Sequence, residues 1–165
     1  MKNRVHNFSA GPAVLPEEVL KEVQKEMLNY RGKGLSVMEM SHRSKDFVEI
    51  LEDARSMVKK LMNLGDDYTV LFLQGGASQQ FFMIPMNICP DDKVTNYIDT
   101  GSWSTKAIKE AKILNKKVNV SASSKDKEFT YIPKNFEISD NPAYLHMTSN
   151  NTIRGTEFHF IPEVP

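Results

Sequence analysis

The run Val70-Leu71-Phe72-Leu73-Gln74-Gly75-Gly76-Ala77-Ser78-Gln79-Gln80-Phe81 constrains this chain most. An apolar, partly β-branched stretch breaks at two glycines, and Ala-Ser then opens a segment of helical character. The pattern predicts a strand, a tight glycine turn and a helix N-terminus. Such a turn gathers backbone N–H groups that lack partners inside the helix, at the positive end of its dipole. An anion fits there, above all a phosphate, and the Ser78 hydroxyl adds a donor. A plain strand–helix turn that needs glycine only for its backbone angles explains the same residues. The run is neither a Walker loop, since no Gly-Lys-Ser/Thr follows, nor a G-x-G-x-x-G fingerprint.

What surrounds the run places it in an α/β chain. Pro16-Glu17-Glu18 starts a helix, since proline suits its first position and two acids suit its dipole. Val19, Leu20, Val23, Met27 and Leu28 share a face, and Gly32 and Gly34 end the element. A second helix begins near Ser44, with Phe47, Ile50, Leu51, Ala54, Val58, Leu61 and Met62 as its buried stripe and Gly65 as its cap. A third runs from Ala77 to Met86, where Pro85 kinks or ends it. Lys93 to Ile98, Val118 to Val120 and Ala143 to Met147 read as strands, with Thr156 to Phe160 as a candidate fourth. A helix opens at Gly101-Ser102-Trp103-Ser104. Residues 121–140 are polar and poorly periodic. Strands alternating with helices imply a mostly parallel sheet flanked by helices. Ligands bind such sheets beyond the carboxyl ends of the strands. Gly75–Ser78, Thr100–Trp103 and Thr148–Thr152 all fall at such ends.

The 165 residues suit one domain, with residues 1–15 as an irregular arm before it. Lys+Arg and Asp+Glu number 21 each, which gives no electrostatic reason to expect nucleic acid or an anionic membrane as partner. No apolar run nears the roughly 18 residues of a membrane span. The first residues lack a signal-peptide core. A single cysteine, Cys89, fits a cytoplasmic setting and reads as a small buried hydrophobe. No metal-ligand spacing is present.

Four stretches then carry a family resemblance: Asn7-Phe8-Ser9-Ala10-Gly11-Pro12-Ala13, Met40-Ser41-His42-Arg43-Ser44, Gln74-Gly75-Gly76-Ala77-Ser78, and Asn150-Asn151-Thr152-Ile153-Arg154-Gly155-Thr156-Glu157. Gly101-Ser102-Trp103-Ser104 is a shorter fifth. In this order and spacing the chain resembles the phosphoserine aminotransferases, of the class V-type pyridoxal-phosphate (PLP) aminotransferases. The resemblance implies the fold type I architecture of that class. Residues 16–165 would be the N-terminal portion of the PLP-binding large domain, without the rest of that domain or the C-terminal small domain.

It also implies roles. Gly76, Ala77 and Ser78 would hold the PLP phosphate, Trp103 would stack on the pyridine ring, and Thr152 would hydrogen-bond the cofactor with Asn151 supporting its loop. His42 and Arg43 would bind substrate, and Arg43 can pair bidentately with a carboxylate or phosphate. The implied reaction converts 3-phosphohydroxypyruvate and L-glutamate to O-phospho-L-serine and 2-oxoglutarate, a step of serine biosynthesis, in a cytoplasmic homodimer. The Schiff-base lysine and the carboxylate beside the ring nitrogen would lie beyond Pro165, so a chain of these residues alone is expected to be inactive, with a missing C-terminal half as a partner chain. His6, His146 and His159 match no role and read as structural. Two other readings stay open: part of another fold type I PLP aminotransferase, and a non-catalytic phosphate-ligand-binding or interaction module. Ser41 and Ser44 beside His42-Arg43 favour a phosphorylated or acidic substrate.

Overall fold

The computed structural model describes residues 4–164; Met1, Lys2 and Asn3 of the expected arm, and Pro165, lie outside the described residues. The chain divides into two compact units, Met1–Phe72 and Leu73–Pro165.

The first unit is helical. After an arm without helix or strand, Pro16 precedes α1 (Glu17–Glu26), where Glu17 pairs with Lys21 at 2.8 Å. The helix ends before the glycines expected to stop it, and Gly32 and Gly34 instead supply positive φ angles in a following turn. Ser44 caps α2 (Lys45–Leu61) by accepting from the Phe47 N–H at 3.3 Å. The left-handed residue after α2 is Asn63, at φ 52°, in place of the expected Gly65. Asparagine tolerates that conformation, so the chain turns two residues earlier. Neither helix has a fully buried residue: the expected stripe of α2 is half-buried, and Leu61 and Met62 are exposed. Two helices offer each apolar stripe too little cover to close a core.

The second unit holds the sheet. Its helix α3 (Gly76–Ile88) continues past the buried Pro85, which sits within the helix instead of ending it. Next come β1 (Val94–Asp99), α4 (Ser102–Ile113), β2 (Lys117–Ser123) and β3 (Pro142–His146). The order is β2-β1-β3, with β1 central and both pairings parallel. The sequence expectation of an α/β chain with a mostly parallel sheet holds. β4 (Asn150–Asn151) and β5 (Thr156–Glu157) form a separate antiparallel pair, much shorter than the strand expected over 156–160. The run Val70–Leu73 forms no ladder, contrary to expectation; Leu71, Phe72 and Leu73 are more than half exposed. Among the described residues no strand pairs with it, and an extended segment without a neighbour has nothing to complete its hydrogen bonds.

Packing follows the pleat of β1. Tyr97 points to the helical layer and forms the core with Ala107, Ile108 and Ala111 of α4, against which Phe81, Val118 and Tyr144 pack. Asn96 is fully buried, yet its side chain is saturated. Its Oδ1 accepts from Asn119 Nδ2 at 2.9 Å and the Ser139 N–H at 3.0 Å, and its Nδ2 donates to the Val94 carbonyl and Ser139 Oγ.

Candidate functional site at the strand ends

The carboxyl end of β1 is built from short polar side chains. Asp99 lies at the N-terminus of α4, where a carboxylate suits the dipole. It accepts from Ser104 Oγ at 2.8 Å and Thr105 Oγ1 at 2.9 Å. Ser104 Oγ in turn accepts from the N–H groups of Thr100 and Gly101 at 2.9 and 3.0 Å. Those bonds fix the first turn of α4 and so the position of Trp103.

The β4–β5 loop is tied to the same strand end. Asn151, only 2% exposed, exchanges hydrogen bonds with the Thr100 hydroxyl: Nδ2 donates at 3.1 Å and Oδ1 accepts at 3.3 Å. The next residue, Thr152, accepts from Trp103 Nε1 at 3.3 Å. Gly155, at φ 74°, turns the loop back, and its N–H reaches the Asn151 carbonyl at 2.7 Å.

The glycine turn forms the opposite wall. Gly75 and Gly76 have φ of 86° and 57°, angles that a side chain disfavours. A Cβ at Gly75 would also collide with the Gln79 side chain. No side chain caps α3. Its leading N–H groups therefore remain an anion-accepting end. Ser78 Oγ accepts from Lys106 Nζ at 2.9 Å.

These walls flank an open cleft of about 450 Å³ lined by Gly75–Ser78, Phe81, Trp103, the stretch from His146 to Asn150, and Thr152. The structure thus brings Gly76, Ala77, Ser78, Trp103 and Thr152 around one space, with members of all three clusters on its walls, although the Gly75–Ser78 turn follows no paired strand, contrary to expectation. His42 and Arg43 belong to the first unit, exposed on the turn leading into α2, where the Arg43 N–H donates to Ser41 Oγ at 3.3 Å. The sequence reading missed Lys106 and the lining role of His146. Lys106 follows Trp103 by three positions on α4, a spacing that puts both on one face. His146 ends β3 beside Tyr97 and Phe81, with ring centroids at 5.2 and 6.0 Å, and its buried Nε2 has no partner. Burial lowers its pKa below the ordinary 6.5. Behind it, Tyr97 and Tyr144 share a hydroxyl–hydroxyl hydrogen bond of 2.6 Å. Burial pushes both phenols above their ordinary pKa, so both stay protonated.

A parallel sheet flanked by helices, with the glycine turn, the Trp103 indole and a polar loop around one pocket, defines an α/β domain. Comparison with known proteins makes the class specific. The aminotransferase class-V family profile matches residues 5–165. A phosphoserine aminotransferase of Desulfatibacillum aliphaticivorans is 54% identical over 163 residues, covering 99% of this chain and 45% of that protein. One from Listeria monocytogenes serovar 1/2a is 56% identical over 161 residues, covering 97% and 44%. The solved phosphoserine aminotransferase from Bacillus circulans subsp. alkalophilus superposes with a TM-score of 0.92 at 44% identity, over 98% of this chain and 45% of that one. The PLP-bound phosphoserine aminotransferase from Trichomonas vaginalis gives 0.91 at 37% identity, over 98% and 46%.

This chain belongs to the class-V aminotransferase family. It spans a little under half the length of the curated relatives it matches. No described helix is long and apolar enough to cross a membrane.

Proposed function

We propose that this chain carries the phosphate- and ring-binding part of the PLP site of a phosphoserine aminotransferase. Such an enzyme moves the amino group of L-glutamate onto 3-phosphohydroxypyruvate, giving O-phospho-L-serine and 2-oxoglutarate. The observation that carries the reading is the convergence of the Gly75–Ser78 turn, Trp103 and Thr152 on one cavity.

The donor set fits the cofactor. The uncapped N-terminus of α3 offers the N–H groups of Gly76, Ala77 and Ser78 to a phosphate. Trp103 offers a broad apolar face to a planar ring, held in place by its N–H bond to Thr152. The Thr152 hydroxyl accepts that bond and keeps its own O–H to donate to a polar atom of the ring. Phe81 and Met147 add apolar wall. When bound, PLP supplies the electron sink for amino-group transfer. His42 and Arg43 bind the acidic or phosphorylated substrate, Arg43 through a two-pronged contact. We assign the Schiff-base lysine and the carboxylate for the ring nitrogen to no position of this chain. A homodimeric, cytoplasmic enzyme completes the reading, on the strength of the family resemblance.

Trp103 is the only tryptophan of the sequence, so its fluorescence reports on the site directly. Titrating the 165-residue chain with PLP is expected to quench that emission saturably at one equivalent per chain. Quenching that rises without saturation, as with free tryptophan, would overturn the proposal.

A further inference from the structure

Lys106 lies at the junction of the phosphate turn and the aromatic platform. Its ammonium is 2.9 Å from Ser78 Oγ and 5.7 Å from the centre of the Trp103 ring. Among the described residues no carboxylate forms an ion pair with it. The nearby positive charge is thus not spent on an acidic neighbour.

From this placement, and resting on the PLP reading above, we infer that Lys106 is a further binding residue for the cofactor phosphate and acts together with Ser78. The hydrogen bond fixes the direction of the second donor. A lysine ammonium can only donate, so Ser78 Oγ uses a lone pair for it. The Ser78 O–H is then left to donate to another acceptor. An acceptor bonded to that hydroxyl lies within reach of the Lys106 ammonium as well.

Charge supports the assignment. A phosphate monoester carries about −1.5 to −2 at neutral pH. A helix N-terminus compensates only about half an elementary charge. The Gly75–Ser78 turn contains no cationic side chain. Lys106 comes from a different helix, α4, and is the cation hydrogen-bonded to that turn. Its exposure keeps the contribution modest and makes it sensitive to salt.

The test uses deoxypyridoxine phosphate, which lacks the aldehyde and so cannot condense with surface lysines. Unphosphorylated deoxypyridoxine is the control. Binding of each to the 165-residue chain is followed by Trp103 fluorescence, for the unaltered protein, K106M and K106R. We expect K106M to weaken the phosphorylated ligand about five- to tenfold at low ionic strength, with the gap closing as salt is added. The control ligand should change less than twofold, and K106R should keep most of the affinity. Equal affinity of K106M and the unaltered chain for the phosphorylated ligand would overturn the role of Lys106 and leave the cofactor reading intact. An equal loss for both ligands would also overturn it, because the lysine would then act through the indole. No saturable binding by the unaltered chain would overturn the cofactor reading and this inference with it.

Discussion

Trp103 Nε1 donates to Thr152 Oγ1 across 3.3 Å, joining the first turn of α4 to the β4–β5 loop at the mouth of the cavity. The bond orients the indole plane and the threonine hydroxyl together. Losing either partner should therefore affect ring binding in two ways. W103A is expected to weaken PLP about fivefold, since loss of an aromatic stacking surface costs about 1 kcal/mol. W103F keeps the aromatic face and loses only the N–H, so it should fall between W103A and the unaltered protein. Absorbance titration of PLP reads all three. Equal affinity of W103A and the parent would remove the platform role.

Gly75 and Gly76 separate a packing requirement from a purely backbone one. Both have positive φ, but a methyl at Gly75 meets the Gln79 side chain, whereas nothing stands within 4 Å of one at Gly76. G76A should cost about 1 kcal/mol through the backbone angle alone. G75A should cost more, about 2 kcal/mol, because Gln79 must also move. Thermal midpoints of the two variants check the order. A G76A midpoint below that of G75A would contradict it.

The Thr100–Asn151 pair is a buried polar contact closed on itself. Removing one partner strands the other, at about 1–3 kcal/mol. Replacing both with apolar residues of similar size should cost less than the sum of the two single changes. A double-mutant cycle with T100V and N151L is expected to show coupling of about 1 kcal/mol in denaturant unfolding. Strict additivity would mean that the pair does not act as a unit.

His146 makes stability depend on pH. Its folded pKa is lowered by burial, so below the unfolded value of 6.5 the unfolded chain takes up a proton that the folded chain resists. The stabilising contribution is therefore complete above pH 6.5 and is lost as pH falls below it, through the lowered folded value. H146F, which keeps an aromatic ring beside Tyr97 and Phe81, should flatten this part of the profile. Thermal melts between pH 7.5 and 5, run on both proteins, give the comparison; identical slopes would assign the acid sensitivity elsewhere.

Local chemistry was legible where one residue settles one element. Pro16 with Glu17 and Glu18 marks the start of α1, and Ser44 marks that of α2. The gathering of Thr100–Trp103 and Thr148–Thr152 was legible too, because a parallel sheet sends its strand ends to one edge; Gly75–Ser78 joins them although no paired strand leads into it. Features that depend on neighbours were not. Val70–Leu73 has strand composition, but a strand also needs a partner, which composition does not report. Pro85 reads as a kink or a stop, and α3 runs on to Ile88 around it. Asn96 is a polar residue within the strand read over Lys93 to Ile98, and only the arrival of Asn119 and Ser139 satisfies it in the interior. Lys106 was overlooked for the same reason: its meaning comes from Ser78, on another helix.

Thr100 and Asn151 are separated by 51 positions in the chain. The cavity wall that they hold cannot exist until β3 has paired with β1 and the β4–β5 loop has closed over the strand end. Local helix formation alone leaves Thr152 unplaced. A ligand of this cavity thus finds only part of its site in a half-folded chain, and most of its binding energy counts toward the finished state. At a hundredfold excess over the dissociation constant that amounts to about 2.7 kcal/mol. Protection from proteolysis by the ligand then measures how much of the chain has completed its folding, as well as how tightly the ligand is held.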